Sequence, residues 1–303
     1  MSTNASFEGV LDALQPEQQG SGEVRYALAV GGNRLPLAML IGRQVAITGL
    51  GGILCVSCGA ASATSHGGGH CRRCFLSLPA CDHCFRSPER CHHHLGSCRD
   101  PAWGTRVCMA DHVVYLAETS GVKVGITRPG RVALRWAEQG ALQARPWLQV
   151  RTRRIAGVLE AVLRSSLSDR TNWRQMLRAN RATEDLEQLA VELTQRHATE
   201  LERVRTEFGV DAWRAVDGVT TWHAHYPVPI GGAPALRAFK LQAVGNVAQG
   251  RILGAKARYL LLDTGVLNTA SHAGTLVRLQ LDVAPDLRGQ ADLFTGVGST
   301  TSP

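Results

Sequence analysis

Two patterns of hydrophobic positions divide this chain. Residues 23–54, EVRYALAVGGNRLPLAMLIGRQVAITGLGGIL, alternate short apolar runs with glycine turns and predict strands. HVVYLAETSGVKVGITR predicts two more, around the turn Thr119-Ser120-Gly121. Helix RVALRWAEQ, a strand near PWLQVRT and helix RIAGVLEAVLRSSL follow. Over residues 173–209 the period becomes helical, with Leu186, Leu189, Leu193, His197, Leu201, Val204 and Phe208 at three- and four-residue steps. Glu184, Asp185 and Glu187 fall in what reads as a first turn, where they favour the helix dipole. His197 on that stripe reads as a core or boundary residue. From Val219 to Phe294 strand patterning returns, in GRILGAKARYLLLDTGVLN and AGTLVRLQLDV. No repeat of fixed period is present.

These patterns predict an α+β chain in seven segments. They are a disordered polar tail (1–22), a β-rich segment (23–54), a Cys/His region (55–111), a small α/β core (112–172), a helical segment built on one long helix (173–218), a second β-rich segment (219–294) and a low-complexity tail (295–303). The two β-rich segments share a pattern and could pair into one small barrel.

Charge sharpens the picture. Between Lys123 and Arg181 stand thirteen basic and three acidic residues, a local +10 in a chain whose net charge is +8. The basicity therefore belongs to one region. All but one of these cations are arginine, whose planar fork suits phosphate, so the segment predicts a polyanion-binding surface. Arg128, Arg131, Arg151, Arg153, Arg154, Arg164, Arg174 and Arg178 are the candidate phosphate contacts, and Trp136, Trp147 and Trp173 among them could stack on bases. No basic leader or long apolar run stands out, so the expectation is a soluble cytoplasmic protein without membrane contact.

All nine cysteines lie between positions 55 and 108. In a reducing compartment such a block points to metal binding and away from disulfides. Cys55, Cys58, Cys71 and Cys74 follow C-x2-C-x12-C-x2-C, in which two tight turns aim four thiolates at one zinc ion. The intervening GAASATSHGGG has little to bury, so a metal would supply order that a core cannot. A second zinc is expected on Cys81 and Cys84, with partners among Cys91, His92, His94, Cys98, Cys108 and His112; Cys91 and Cys98 are preferred. His223 and His225 lie two apart on what reads as an ordinary strand face.

The strings CDHC, SPERCHHH, GSCRDPAWG, VKVGITR, RWAEQGALQA, DRTNWRQML and RYLLLDTGVLN together resemble a bacterial family of uncharacterised proteins labelled domain of unknown function 2797 (DUF2797), over about residues 50–280. The order of elements from HVVYLAE onward is also similar to GIY-YIG nucleases. That likeness implies a catalytic set of Tyr115 activating water, Arg135 stabilising charge on phosphate, Glu160 holding Mg2+ or Mn2+ and Asn172 in support. The second triplet is Lys123-Val124-Gly125, so lysine replaces the family's second tyrosine, and Gln139 stands where many members have histidine. Each residue also has a plain structural reading. Tyr115 is then a strand aromatic, Glu160 the partner of Arg164, and Asn172 the cap of a helix from Trp173.

The reading with most support from the residues is a zinc-stabilised nucleic-acid-binding protein that contacts phosphates through its arginine-rich core. A divalent-metal-dependent endonuclease is the second and a zinc-built protein-interaction adaptor the third.

Overall fold

The computed structural model describes residues 5–18, 22–167, 171–216, 221–229 and 236–282. The chain begins with β1 (Ser6–Val10), β2 (Gln15–Gln18), β3 (Val24–Val30), β4 (Asn33–Pro36) and β5 (Gln44–Leu54). The cysteine block adds β6 (Ala61–Ser62), α1 (Arg72–Ser77), α2 (His83–Arg86) and α3 (Pro101–Val107). A small core follows, of β7 (His112–Glu118), β8 (Val122–Thr127), α4 (Val132–Gln139), β9 (Gln143–Val150) and α5 (Arg153–Leu163). After it come α6 (Trp173–Arg178), α7 (Leu186–Arg196), α8 (Ala198–Phe208), β10 (Trp213–Ala215) and β11 (Trp222–His223). β12 (Val247–Lys256), β13 (Tyr259–Leu262), β14 (Gly265–Asn268) and β15 (Thr275–Leu281) complete it.

The largest sheet is antiparallel, in the order β1-β15-β5-β12-β13-β14, with β6 on the end of β5. Strands from both ends of the sequence thus share one sheet. Among the described residues it does not close into the barrel that their common pattern had implied: β1 and β14 remain its edges. The separate sheet β2-β3-β4 buries its apolar face instead. Val24, Tyr26, Leu28 and Val30 of β3 pack into one cluster with Val277, Leu279 and Leu281 of β15. Period-two alternation puts each set on a single face.

Two further expectations are corrected. Residues 6–10 and 15–18 form strands where a disordered tail was expected, because Leu11 and Leu14 are fully buried and β1 pairs with β15 from Ser6↔Gln280 to Val10↔Leu276. The 295–303 tail lies outside the described residues. The long helix is three helices. The backbone at Thr183 and Glu184 is drawn out of helical geometry by the buried Glu118 carboxylate, which accepts from both amides and from the Thr183 hydroxyl. Asp185 then caps α7, accepting from Glu187 N and Gln188 N. The α7–α8 break falls at His197 (φ −106°, ψ 22°), buried as expected, with its Nε2 2.8 Å from Ser166 Oγ.

The sheet β10-β9-β7-β8 is covered on both faces, and every residue of β7 is buried. Val114 and Leu116 face α5, α7 and α8, whereas Val113, Tyr115 and Ala117 face Trp136 of α4. Gly140, at φ +71°, ends α4 in the left-handed conformation that favours glycine. Residues 55–111 contribute nothing to any of the hydrophobic clusters. Among the described residues no helix is long and apolar enough to cross a membrane.

Candidate metal centre and basic cleft

β5 delivers Cys55 at its end, where a tight turn returns the chain: Gly59 N donates to Cys55 O and Cys55 N to Ala60 O. Twelve residues separate Cys58 from Cys71, which caps α1, its Sγ accepting from Cys74 N at 3.5 Å, and the helix places Cys74 one turn on. Cys55, Cys58, Cys71 and Cys74 offer sulfur atoms that all lie within 4.8 Å of one another. Backbone amides, those of Cys71 foremost, hold the Cys55 thiol down to about 5, while the bond to Cys58, then burial, push Cys74 up to about 12. Thiols this close cannot all ionise beside one another without a counter-charge. Four soft donors around one point fit a tetrahedral dication and could hold a structural ion such as zinc.

A second group, Asp82, Cys84 and His92, also brings ligand atoms within 4.8 Å of one another. Asp82 is already engaged, with Arg99 Nε at 2.7 Å and Cys84 N on Oδ1. Cys81, expected in the second set, is absent from the cavity lined by Cys84, Cys91, Cys98 and Cys108. Of the histidines weighed as ligands, His112 turns its Nδ1 to the Ala110 carbonyl at 2.8 Å, and His94 lies beside Arg154.

The cysteine-rich region rests on α5. A Cβ at Gly157 would stand 2.5 Å from Glu89 N, so only glycine admits the Pro88–Arg90 turn so closely. Between region and core opens a cleft of about 620 Å³. Phe85, Arg86, Pro88, Trp103 and Val107 form one wall. The other carries Lys123, Gly125, Arg128, Arg131, Arg135 and Arg153, with His112, Glu138, Gln139 and Glu160. Six cations therefore face two carboxylates. Glu138 is taken by Arg131 at 2.9 Å, Arg135 at 3.2 Å and Arg258 at 3.4 Å. Among the described residues the side chains of Arg86 and Arg128 make no ion pair or hydrogen bond.

The family described as protein of unknown function (DUF2797) matches residues 42–277. The chain belongs to that family. No curated protein and no solved structure matches it. In this DUF2797 protein Lys123, Arg135 and Glu160 line the one cleft, while Tyr115 lies beneath its floor. A Cβ at Gly125 would stand 2.5 Å from the phenol oxygen, which donates to Gln139 Oε1 at 2.9 Å. Burial pushes that phenol up to about 12. The Lys123 amine, donating to Thr171 Oγ1 at 2.8 Å, is brought down to about 8 by burial and then by Arg135. Burial raises Glu160, against the pull of Arg164, 3.9 Å away, and of Arg153.

Other expected residues scatter. Asn172 faces a different hollow and caps α6, accepting from Arg174 N and Gln175 N. Of the candidate phosphate contacts, Arg128, Arg131 and Arg153 line the cleft. Arg151 and Arg154 border a separate hollow, Arg174 sits over Trp173, Arg164 pairs with Glu160, and Arg178 is exposed on α6. Trp136 and Trp147 are buried, and Trp173 stacks on Tyr259 at 5.5 Å. Sequence reasoning missed Arg86 and Glu138. Glu138 had a signal, since it stands three residues after Arg135 on one helix face.

Proposed function

We propose that this protein is a zinc-stabilised nucleic-acid-binding protein, with the phosphate backbone seated in the basic cleft between the metal-binding region and the core. The observation that carries the reading is the lining: Arg86, Lys123, Arg128, Arg131, Arg135 and Arg153 converge on one space in which Glu160 is the only carboxylate not held by several arginines. Arginine forks on facing walls suit a chain of phosphates, and Trp103 on the wall with Arg86 offers flat apolar surface to bases. The first cysteine quartet, with zinc as its ion, orders the part of the cysteine-rich region that precedes that wall.

A second reading, phosphodiester cleavage with Mg2+ or Mn2+, is favoured by Glu160, which stands in the cleft with Lys123 and Arg153. The hairpin, helix, strand, helix order of β7-β8-α4-β9-α5 also follows the nuclease family that the sequence resembles. Against it, Tyr115 is sealed under Gly125 and committed to Gln139, so the residue expected to activate water has no access to a phosphate. Binding without cleavage is therefore preferred.

The test is retention and cleavage of a panel of DNA and RNA forms by the zinc-loaded protein across salt, with and without Mg2+. Binding that falls steeply with salt, with no cleavage and with Glu160→Ala binding at least as well as the parent, supports the first reading. Mg2+-dependent cleavage abolished by Glu160→Ala replaces it with the second. No affinity for any form near physiological salt removes both.

A further inference from the structure

The buried side chains of the cysteine block are unusual in kind. Between Ile47 and His112 the buried apolar side chains are Cys55, Cys74, Cys91 and Cys108, with Pro88 where the region meets α5. A region this long with no leucine, valine or aromatic core cannot hold a shape by hydrophobic burial alone, so something must replace the core. The first quartet accounts for Cys55 and Cys74. It leaves Cys91 and Cys108 without a reason to be buried.

Those two thiols face a small enclosed cavity of about 10 Å³, room for one ion or one water, and Cys84 and Cys98 line it with them. The four arrive from separate places. Cys84 is in α2, Cys91 follows the Pro88–Arg90 turn, Cys98 precedes α3 and Cys108 caps its end. Other polar groups around the space are occupied. Asp82 is paired with Arg99, His92 spans Ser97 Oγ at 2.9 Å through Nδ1 and Asp82 Oδ1 at 3.6 Å through Nε2, and His93 Nε2 lies against Pro101 O and Thr105 Oγ1. Of the four sulfurs, Cys98 Sγ donates to Asp100 O at 3.4 Å and the Cys84 thiol meets Asp82; they stand farther apart than those of the first quartet. Cys81 does not border the cavity.

We propose that Cys84, Cys91, Cys98 and Cys108 hold a second tetrahedral metal ion, zinc by the softness of four thiolates, and that Cys81 is not a ligand. The site closes four chain segments into one unit and has a direct line to the cleft. Arg153 N donates to Cys108 O at 2.7 Å, and the Arg153 guanidinium donates to Phe85 O at 2.7 Å and lies 4.2 Å from the Phe85 ring centre. Phe85 adjoins the ligand Cys84, so the ion fixes both anchors of a cleft arginine. The site itself does not depend on what the cleft binds.

Elemental analysis of the purified protein tests the proposal. The parent should carry two zinc ions per chain. Cys98→Ser and Cys108→Ser should each carry one, and Cys81→Ser and His92→Gln should keep two. One ion in the parent, or loss of an ion with Cys81→Ser or His92→Gln, overturns the ligand set. Should the serine variants fail to fold, the native protein decides. N-ethylmaleimide on the zinc-loaded chain should modify Cys81 alone among nine cysteines, and a strong chelator should expose the other eight. Modification of Cys84, Cys91, Cys98 or Cys108 as fast as Cys81 before chelation overturns it.

Discussion

Gly157 of α5 and Pro88 of the cysteine-rich region meet so closely that a Cβ on residue 157 would stand 2.5 Å from the Pro88 Cβ. The neighbouring contact, Glu89 N, is backbone and cannot swing aside. Gly157→Ala should therefore destabilise the protein by about 1–3 kcal/mol through overpacking, even though alanine favours a helix. Denaturant unfolding measures the loss, and an unchanged midpoint would show that the turn can lift away at no cost.

Arg128 and Arg178 separate cleft from surface. The Arg128 side chain has no ion pair or hydrogen bond among the described residues and lines the cleft, whereas Arg178 is exposed on α6. Arg128→Ala should leave the unfolding midpoint in place, weaken polyanion binding and lower the slope of log K against log salt by about 0.7–0.9. Arg178→Ala should change neither. Equal effects of the two would mean a diffuse surface with no cleft.

Lys123 titrates at about 8 in the folded chain, so its charge fades just above neutrality. If bound phosphate restores the proton, affinity should fall about tenfold between pH 7 and pH 9 at fixed salt, and Lys123→Met should flatten that profile. The stability effect has the opposite sense. Between about 8 and the unfolded value of about 10.4 the unfolded chain holds more protons, so this group's contribution to stability rises with pH across that window. Titration calorimetry at several pH values and thermal unfolding read the two effects separately.

His112 is nearly inaccessible and brought down to about 4, by burial first and then by repulsion from Arg153 and Arg128. An unfolded histidine takes up its proton near 6.5. Stability from the neutral ring is thus complete above about 6.5 and is lost as pH falls toward 4, by up to about 3 kcal/mol. His112→Gln should unfold with a shallower dependence on pH than the parent over pH 5–7. Parallel curves would show that the ring keeps its ordinary affinity for the proton.

What the sequence disclosed was local. Cys55, Cys58, Cys71 and Cys74 carry their geometry in their spacing, and each strand and helix of the small core shows its period within a few residues. What it concealed depended on distance. β1 looks like a polar tail because its partner lies some 270 residues away, and Arg86 looks unremarkable because its neighbours in the cleft come from the core. The long helix was misread for the same reason: the group that breaks it, Glu118, is contributed by another strand. Two-residue spacing singles out Cys81 with Cys84 in a string, whereas the cavity that Cys84 shares with Cys91, Cys98 and Cys108 is not visible there.

The place of β15 between β1 and β5 bears on how the molecule is made. On a ribosome β1 emerges some 270 residues before the neighbour it needs. Until residues 275–281 appear, both flanking strands present bare hydrogen-bonding edges, so the largest sheet is completed only when strands some 270 residues apart have both been made. Nascent chains truncated before Thr275 should on this account need shielding from one another, whatever the state of the compact core that precedes them.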